Sequence, residues 1–385
     1  MSSNRLPAAV WWSAAAFATL IGFSRVSFGL LLPFIKHEFP ASYTAYGIAA
    51  AANFAGYLAG LIGTAFLPRR FHDRRANTVA LATLAVTLAV SATAPTLAVI
   101  AAARFFNGVA QAVATMLTIG LTFSIVPHAL RGRASGVVWG GGGIGIVLCA
   151  AALPYAAVHL GGWRTIWIAM SIVTAGVAIA LHRVLPDHAA HEAPQSDGHA
   201  ATDRAAIAIL CAQYFFFGLA FADYFTYAPA LARMLIAGTI PFAIAWALTG
   251  VAGIAGGSIW GGLLDRSRRG LSLGACLLLG AAGAAILLAP SLAAAAVSAL
   301  LVGGCSFGTP AQTTALARRF SSTHDYVYAL TIVTAVFAVG QTLGAPLGGW
   351  IADSSGLGTS IGVSAFIFAI GGAIALTIAA RARTS

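Results

Sequence analysis

The sequence predicts an all-α membrane protein, with twelve transmembrane helices in two pseudo-symmetric six-helix bundles. Three observations carry that expectation. The 385 residues are 59% hydrophobic and 8% charged, against about 25% charged in soluble domains. Apolar residues gather into runs of about twenty or more, enough to cross the hydrocarbon core. Arginines cluster in the short turns between those runs, as in membrane proteins whose loops set their orientation.

The segments follow in order at 8–35, 43–67, 77–94, 96–126, 133–158, 163–185, 205–231, 240–264, 271–289, 291–317, 326–351 and 358–380. The first runs well past the roughly 7–15 apolar residues of a signal peptide and is expected to be a retained helix. The second stops at Pro68 and the basic pair Arg69 and Arg70, the third lies between Arg75 and Pro95, and the fourth ends before Pro127. The fifth starts at Arg133 and is rich in glycine; the sixth opens within GGWRTIW (161–167) and closes before Pro186. The seventh follows Arg204 and ends before Arg233, the eighth runs into the basic turn 265–270, and the ninth lies between that turn and Pro290. The tenth ends before Arg318 and Arg319, the eleventh before Asp353 and the twelfth before Arg381. Long runs without strict alternation favour helices over barrel strands. The 43 glycines suit helices that approach one another closely in a membrane.

With the N-terminus placed in the cytoplasm, 16 of the 21 Lys and Arg residues fall on that side. Lys36, Arg164 and Arg233 fall on the other, and Arg25 and Arg104 within the membrane. Both termini are therefore expected in the cytoplasm, with the chain a multi-pass monomer in the lipid bilayer of a bacterial inner membrane. The same distribution accounts for the net charge of +11 without nucleic acid, the other reading of a basic chain. Cys149, Cys211, Cys276 and Cys305 fall inside apolar segments with no CxxC pair, so neither disulfides nor a metal site is expected.

The one long polar stretch, RVLPDHAAHEAPQSDGHAATDR, separates segments six and seven. Its three histidines fit no defined metal spacing, and its composition predicts a disordered linker. It divides the chain into an N-terminal bundle (1–186), a cytoplasmic linker (187–204) and a C-terminal bundle (205–385). The halves echo one another. Pro33 and Pro229 lie near the outer ends of segments one and seven, and Gly108 matches Gly303, Gly304 and Gly308 in segments four and ten. Repeated halves of six helices are the architecture of a secondary transporter, whose substrate site lies between the halves near the midplane.

GGLLDRSRRG (261–270) resembles the cytoplasmic helix 2–3 or 8–9 turn of the major facilitator superfamily, G-x-x-x-D-[RK]-x-G-R-[RK]. Gly261, Asp265, Arg266 and Arg269 fit it, Arg268 stands in place of a glycine, and the first-half copy from Gly63 lacks the aspartate. RFFNGVAQA (104–112) resembles the superfamily's helix 4 motif at Arg104, Asn107 and Gly108, and GGWRTIW resembles its helix 6 opening. More narrowly, the chain is similar to the YbfB/YjiJ-type branch through Gly22, Phe23, Ser24, Arg25, Phe28, Gly29 and Pro33. NFAGYLAG (53–60) and GQTLGAPLGGWIAD (340–353) extend that similarity. The resemblance spans the chain and implies the superfamily's twelve-helix fold. It also implies a cytoplasmic latch of Gly261, Asp265, Arg266 and Arg269 that stabilises one access state. The glycine-rich fifth segment lacks the G-P step of drug/proton antiporters.

Arg25, Arg104 and Asp223 lie roughly 13–15 Å inside segments one, four and seven, at 1.5 Å per residue. An arginine at the centre of a membrane helix is unfavourable by about 2.5–3.5 kcal/mol. Arg25 is therefore expected to face water, a substrate or Asp223, with a static ion pair that fixes packing as the alternative. Arg104 is expected either in the substrate and proton path or bonded to helix-end carbonyls. Asn53, Tyr57, Asn107, Gln111, Tyr224, Tyr227, Gln312 and Gln341 complete the candidate substrate site, with Thr115 and Gln213 nearby. Asp223, the one acidic residue well inside the membrane, is the candidate proton carrier, its affinity for the proton modulated by Arg25 or Arg104.

The expected function is secondary active transport of a small solute, coupled to protons. Two arginines against one aspartate favour a small organic anion such as a carboxylate, gripped by two hydrogen bonds. Proton-coupled efflux of hydrophobic or cationic compounds is the alternative. An intramembrane enzyme would need paired catalytic groups at one depth, and a non-transporting receptor is the remaining class. With no P-loop or nucleophile motif, no enzymatic activity and no cofactor are expected.

Overall fold

The computed structural model describes residues 5–66, 73–188, 201–267, 270–322 and 324–381. Twelve long helices account for nearly all of them, and no strand occurs among the described residues. They are α1 (Ala8–Glu38), α2 (Tyr43–Phe66), α3 (Arg74–Thr93), α4 (Leu97–Phe123), α5 (Arg131–His159) and α6 (Trp163–Val184). The second half comprises α7 (Arg204–Leu235), α8 (Thr239–Ser267), α9 (Leu271–Ile286), α10 (Leu292–Phe320), α11 (Tyr326–Ser355) and α12 (Leu357–Arg381). Alternate helices run in opposite directions, so the start of α1 and the end of α12 lie at one face, here the terminal face; the other is the distal face.

Side-chain caps set several of the helix starts. Asp73 accepts from the Ala76 amide at α3, Thr96 from Val99 at α4 and Ser291 from Ala294 at α10, each satisfying an amide the helix leaves free. Eleven helices are long and apolar enough to cross a membrane; α9 is apolar but has only 16 residues. The expected end at 289 gives way to turns at Leu287 and Ala289, because Pro290 disfavours helical backbone in the residue before it.

One irregularity was not expected from the sequence. Residues Ala18–Val26 of α1 are wound as a wider π-helix, with the Ser27 amide bonded to the Gly22 carbonyl. The carbonyls of Leu20 and Ser24 in this stretch accept from Gln111 Nε2 (2.6 Å) and Arg104 Nη1 (3.4 Å) of α4. Side chains of a neighbouring helix thus supplement its backbone bonds.

Four helix pairs join the halves: α1 with α7, α2 with α11, α5 with α8 and, more lightly, α2 with α7. At the α5–α8 crossing, a Cβ on either Gly143 or Gly250 would lie 2.5 Å from the other's carbonyl oxygen, so only glycine permits that approach. Nearer the terminal face the crossing loosens. A Cβ on Gly136 would meet only Ser258 Oγ at 3.9 Å, and one on Gly132 or Gly261 would meet nothing within 4 Å. The halves therefore meet at the distal face and part toward the terminal face. The linker's described ends each dock on their own half. Asp187 pairs with Arg74 of α3, and the Thr202 hydroxyl donates to Asp325 at the start of α11 (2.6 Å). Residues 189–200, read as disordered from composition, lie outside the described residues.

Candidate functional site

Arg25 stands near the end of the π-wound stretch. It is half-buried, with its guanidinium carbon 4.5 Å from the ring centre of Tyr57 and 5.7 Å from that of Phe54. Its Nε and Nη2 are buried and have no hydrogen-bond partner. Tyr214 of α7, stacked on Phe337 at 4.3 Å, stands within electrostatic reach of Arg25 and Tyr57. The guanidinium thus sits between the halves. Among the described residues no carboxylate forms an ion pair with it.

Arg104 is 4% exposed and committed to the N-terminal half. Its Nε donates to the Ala49 carbonyl (3.0 Å), its Nη1 to that of Ser24 (3.4 Å), and its guanidinium lies 4.2 Å from the Phe28 ring centre. The carbonyl partners belong to mid-helix residues of α1 and α2, not to helix ends. Asn107 is the hub of the same seam. Its Oδ1 accepts from Ser24 Oγ and from Asn53 Nδ2 (3.1 Å), and its Nδ2 donates to Thr87 Oγ1 (2.8 Å). Gln111 is engaged with Leu20, and Thr115 with the Gln111 carbonyl. The R-x-x-N-G motif therefore fastens α1 to α4 together; of Asn53, Asn107 and Gln111, only Asn53 Oδ1 is left without a partner.

Asp223 turns away from both arginines. Its Oδ1 accepts from Ser360 Oγ (2.7 Å) and its Oδ2 from Ser364 Oγ, two hydroxyls one turn apart on α12. The expected Arg25 or Arg104 partner is replaced by these serines, because the carboxylate leaves α7 on the side that packs against α12. Gly348 of α11 makes room for it; a Cβ there would collide with Oδ1. Depth along the helix was inferable from the sequence, but the direction in which the side chain leaves it was not.

Tyr224 shares a hydrogen bond with Ser298 (2.7 Å), and the Tyr227 hydroxyl reaches the Tyr43 and Ala345 carbonyls (2.8 and 2.9 Å). Both act in packing here, Tyr227 at the seam between the halves. Gln312 and Gln341 are buried with neither amide atom partnered, and Gln213 donates to Thr313 (3.1 Å) while its Oε1 has none.

At the terminal face Asp265 accepts from Arg319 Nη2 of α10 at 3.1 Å, an exposed pair within one half. Arg266 is exposed, Gly261 has open space around it, and Arg269 lies outside the described residues. In GGWRTIW, Arg164 binds Glu38 (2.6 Å) and the carbonyls of Ala92 and Ala94, fastening α6 to the end of α1 and the α3–α4 turn. The sequence reading missed Tyr214, the Ser360–Ser364 pair and Asp353. The i, i+4 spacing of the two serines in an apolar run was the available signal for that pair.

Residues 17–379 match the family described as "Uncharacterised MFS-type transporter YbfB". Over 160 residues, 40% of this chain, the sequence is 29% identical to the putative uncharacterized transporter YgaY of Escherichia coli strain K12. The match spans only 39% of that relative's length. Among solved structures, the fold is similar to a bacterial homologue of the human lysosomal transporter Spinster, inward-facing and occupied. That likeness has a TM-score of 0.77 at 14% identity and covers 96% of both chains. It is also similar to the human organic anion transporter MFSD10, with TM-score 0.67 and 14% identity, covering 96% of this chain and 100% of that one. The nucleoside transporter NupG gives TM-score 0.70 at 13% identity, covering 96% and 97%. At such identities the likeness to solved structures is one of fold.

Proposed function

The chain belongs to the family of MFS-type transporters described by YbfB, and from that premise we propose that it moves a small organic anion, a carboxylate, across the membrane by alternating access, coupled to protons. The observation that carries the anion is Arg25. Nε and Nη2 are the two nitrogens whose hydrogens point the same way from the guanidinium edge, the pair that grips a carboxylate side-on. Both are without a partner. A buried guanidinium without a counter-charge is unfavourable, and a bound carboxylate would supply one. Arg104 adds a second positive charge nearby while its own donors stay with Ala49 and Ser24. The rings of Phe54, Tyr57 and Tyr214 offer an apolar wall for the rest of the solute. Fold alone selects no cargo, since it is shared by proteins named for organic anions and for nucleosides.

Asp223 is the group to which we assign the proton. It is the one carboxyl at this depth, and only hydroxyl donors offset the desolvation of its charge. Its coupling to Arg25 would run through α7, which also carries Tyr214, rather than through an ion pair. On the positive-inside distribution we read the terminal face as cytoplasmic, and closure at the distal face would then correspond to a state open inward.

A thermal-shift screen of the purified protein against organic acids, followed by counterflow in proteoliposomes, tests the reading. An acid that stabilises wild type, exchanges across the bilayer and fails to stabilise Arg25→Ala supports it. Stabilisation by cationic compounds alone would overturn the anion and favour efflux.

A further inference from the structure

We infer that Asp353 is the latch holding the two halves together at the distal face, by capping the first turn of α2 from the opposite half. The inference rests on the alternating-access reading above. A helix start leaves amides without intrahelical partners. In α2 these are Tyr43, Thr44 and Ala45, since Tyr46 already bonds the Ser42 carbonyl. Ser42 Oγ accepts from Ala45 (3.1 Å), and α2 has no acidic residue in its first turn.

The missing acceptor comes from α11. Asp353 Oδ1 takes the Tyr43 amide at 2.7 Å, and Oδ2 takes the Thr44 amide at 2.9 Å and the Thr44 hydroxyl at 2.6 Å. A negative charge at a helix N-terminus is favoured by the helix dipole as well as by the bonds themselves. Surrounding contacts fix the register. Tyr227 reaches the Tyr43 carbonyl, and Gly349 lies where a Cβ would come 2.5 Å from that same oxygen. Lys36 Nζ sits over the Tyr43 ring at 4.4 Å.

Asp353 is exposed. When the halves separate, water can reach the carboxylate and the two amides it releases, so opening strands no buried charge. The spacing recurs at the other face. α11 ends in Gly349-x-x-x-Asp353 and α8 in Gly261-x-x-x-Asp265. At the closed distal face the aspartate bridges the halves, whereas at the parted terminal face the partner of Asp265 among the described residues is Arg319 of its own half.

The test is double electron–electron resonance on full-length protein in nanodiscs. One label pair spans the halves distally, at Val158 and Met234, and another spans them at the terminal face, at Arg133 and Leu263; all four sites are exposed. Wild type should exchange between two distance populations. Asp353→Ala should shift them toward distal-open by about 2- to 30-fold, the range for losing a helix cap. Asp353→Asn and Thr44→Val should shift them less, in the same direction, and they decide the matter if Asp353→Ala does not fold. Exchange in wild type with unchanged ratios in the variants would overturn the latch. A single fixed distance in wild type, at acidic and at neutral pH alike, would overturn alternating access and the latch with it.

Discussion

Gly29 of α1 lies directly against the backbone carbonyl of Phe225 in α7. That carbonyl is the one Pro229, four residues on, cannot bond, because proline has no amide hydrogen. Pro33 stands four residues after Gly29, so the same gap recurs on the facing helix. The two prolines noted in the sequence as echoes thus mark a place where the halves cross closely.

Gly29→Ala should therefore be poorly tolerated. Its methyl would collide with the Phe225 carbonyl, and overpacking of this kind costs about 1–3 kcal/mol. A lower Tm in detergent is expected, whereas Gly63→Ala, with nothing within 4 Å of its Cβ, should leave Tm unchanged or slightly raised. Equal melting of the two variants would contradict close packing at Gly29.

The two arginines should separate by assay. Arg25→Lys keeps the charge but loses the side-on pair of donors, and should weaken binding of the transported acid about tenfold. Arg25→Ala should abolish it. Arg104→Lys should instead lower Tm, since each charged hydrogen bond lost is worth about 1.5–3 kcal/mol, with affinity of the folded fraction near wild type. Calorimetric titration beside thermal melts distinguishes the two. Reversed behaviour would move the anchor from Arg25 to Arg104.

Asp223→Asn removes the exchangeable proton while keeping the shape and one acceptor for α12. Uphill accumulation under an imposed pH gradient in proteoliposomes should be lost, while downhill exchange survives. If the variant concentrates substrate as wild type does, Asp223 is a packing group and the proton travels elsewhere.

Asp265→Asn should act opposite to the distal variants. The Asp265–Arg319 pair joins α8 to α10 within one half, so breaking it does not open the present state. Its loss removes an acceptor available when the terminal face closes, and should favour the terminal-open population, slowing turnover more than changing affinity. A shift toward distal-open in the Arg133–Leu263 distances would refute this.

The fold was legible because lipid imposes a rule the sequence must obey: long apolar runs, with charge confined to the turns. Arg25 was legible for the same reason, as a violation of that rule. Asp223 shows where the reading stops. Sequence gives depth, but the direction of a side chain around its axis depends on which neighbour covers each face. In helices built largely of alanine, glycine and leucine, no polar stripe marks that face. Tyr224, Tyr227, Asn107 and Gln111 were flagged as polar at the right depth, and their bonds prove to be spent on adjacent helices. Asp353 was missed because its partner is a bare helix end, which has no residue signature of its own.

The wide winding of Ala18–Val26 sets α1 apart from the other eleven helices, whose described residues show none. A π turn holds more residues than an α turn, so passing one residue across its boundary rotates the side chains beside it by about 100°. The ends of the rod need not move, and Glu38 can stay tied to Arg164. Arg25 stands one residue from that boundary. A one-residue shift of that boundary would swivel the guanidinium like a key in a fixed barrel, reorienting a bound charge without displacing the helix that carries it.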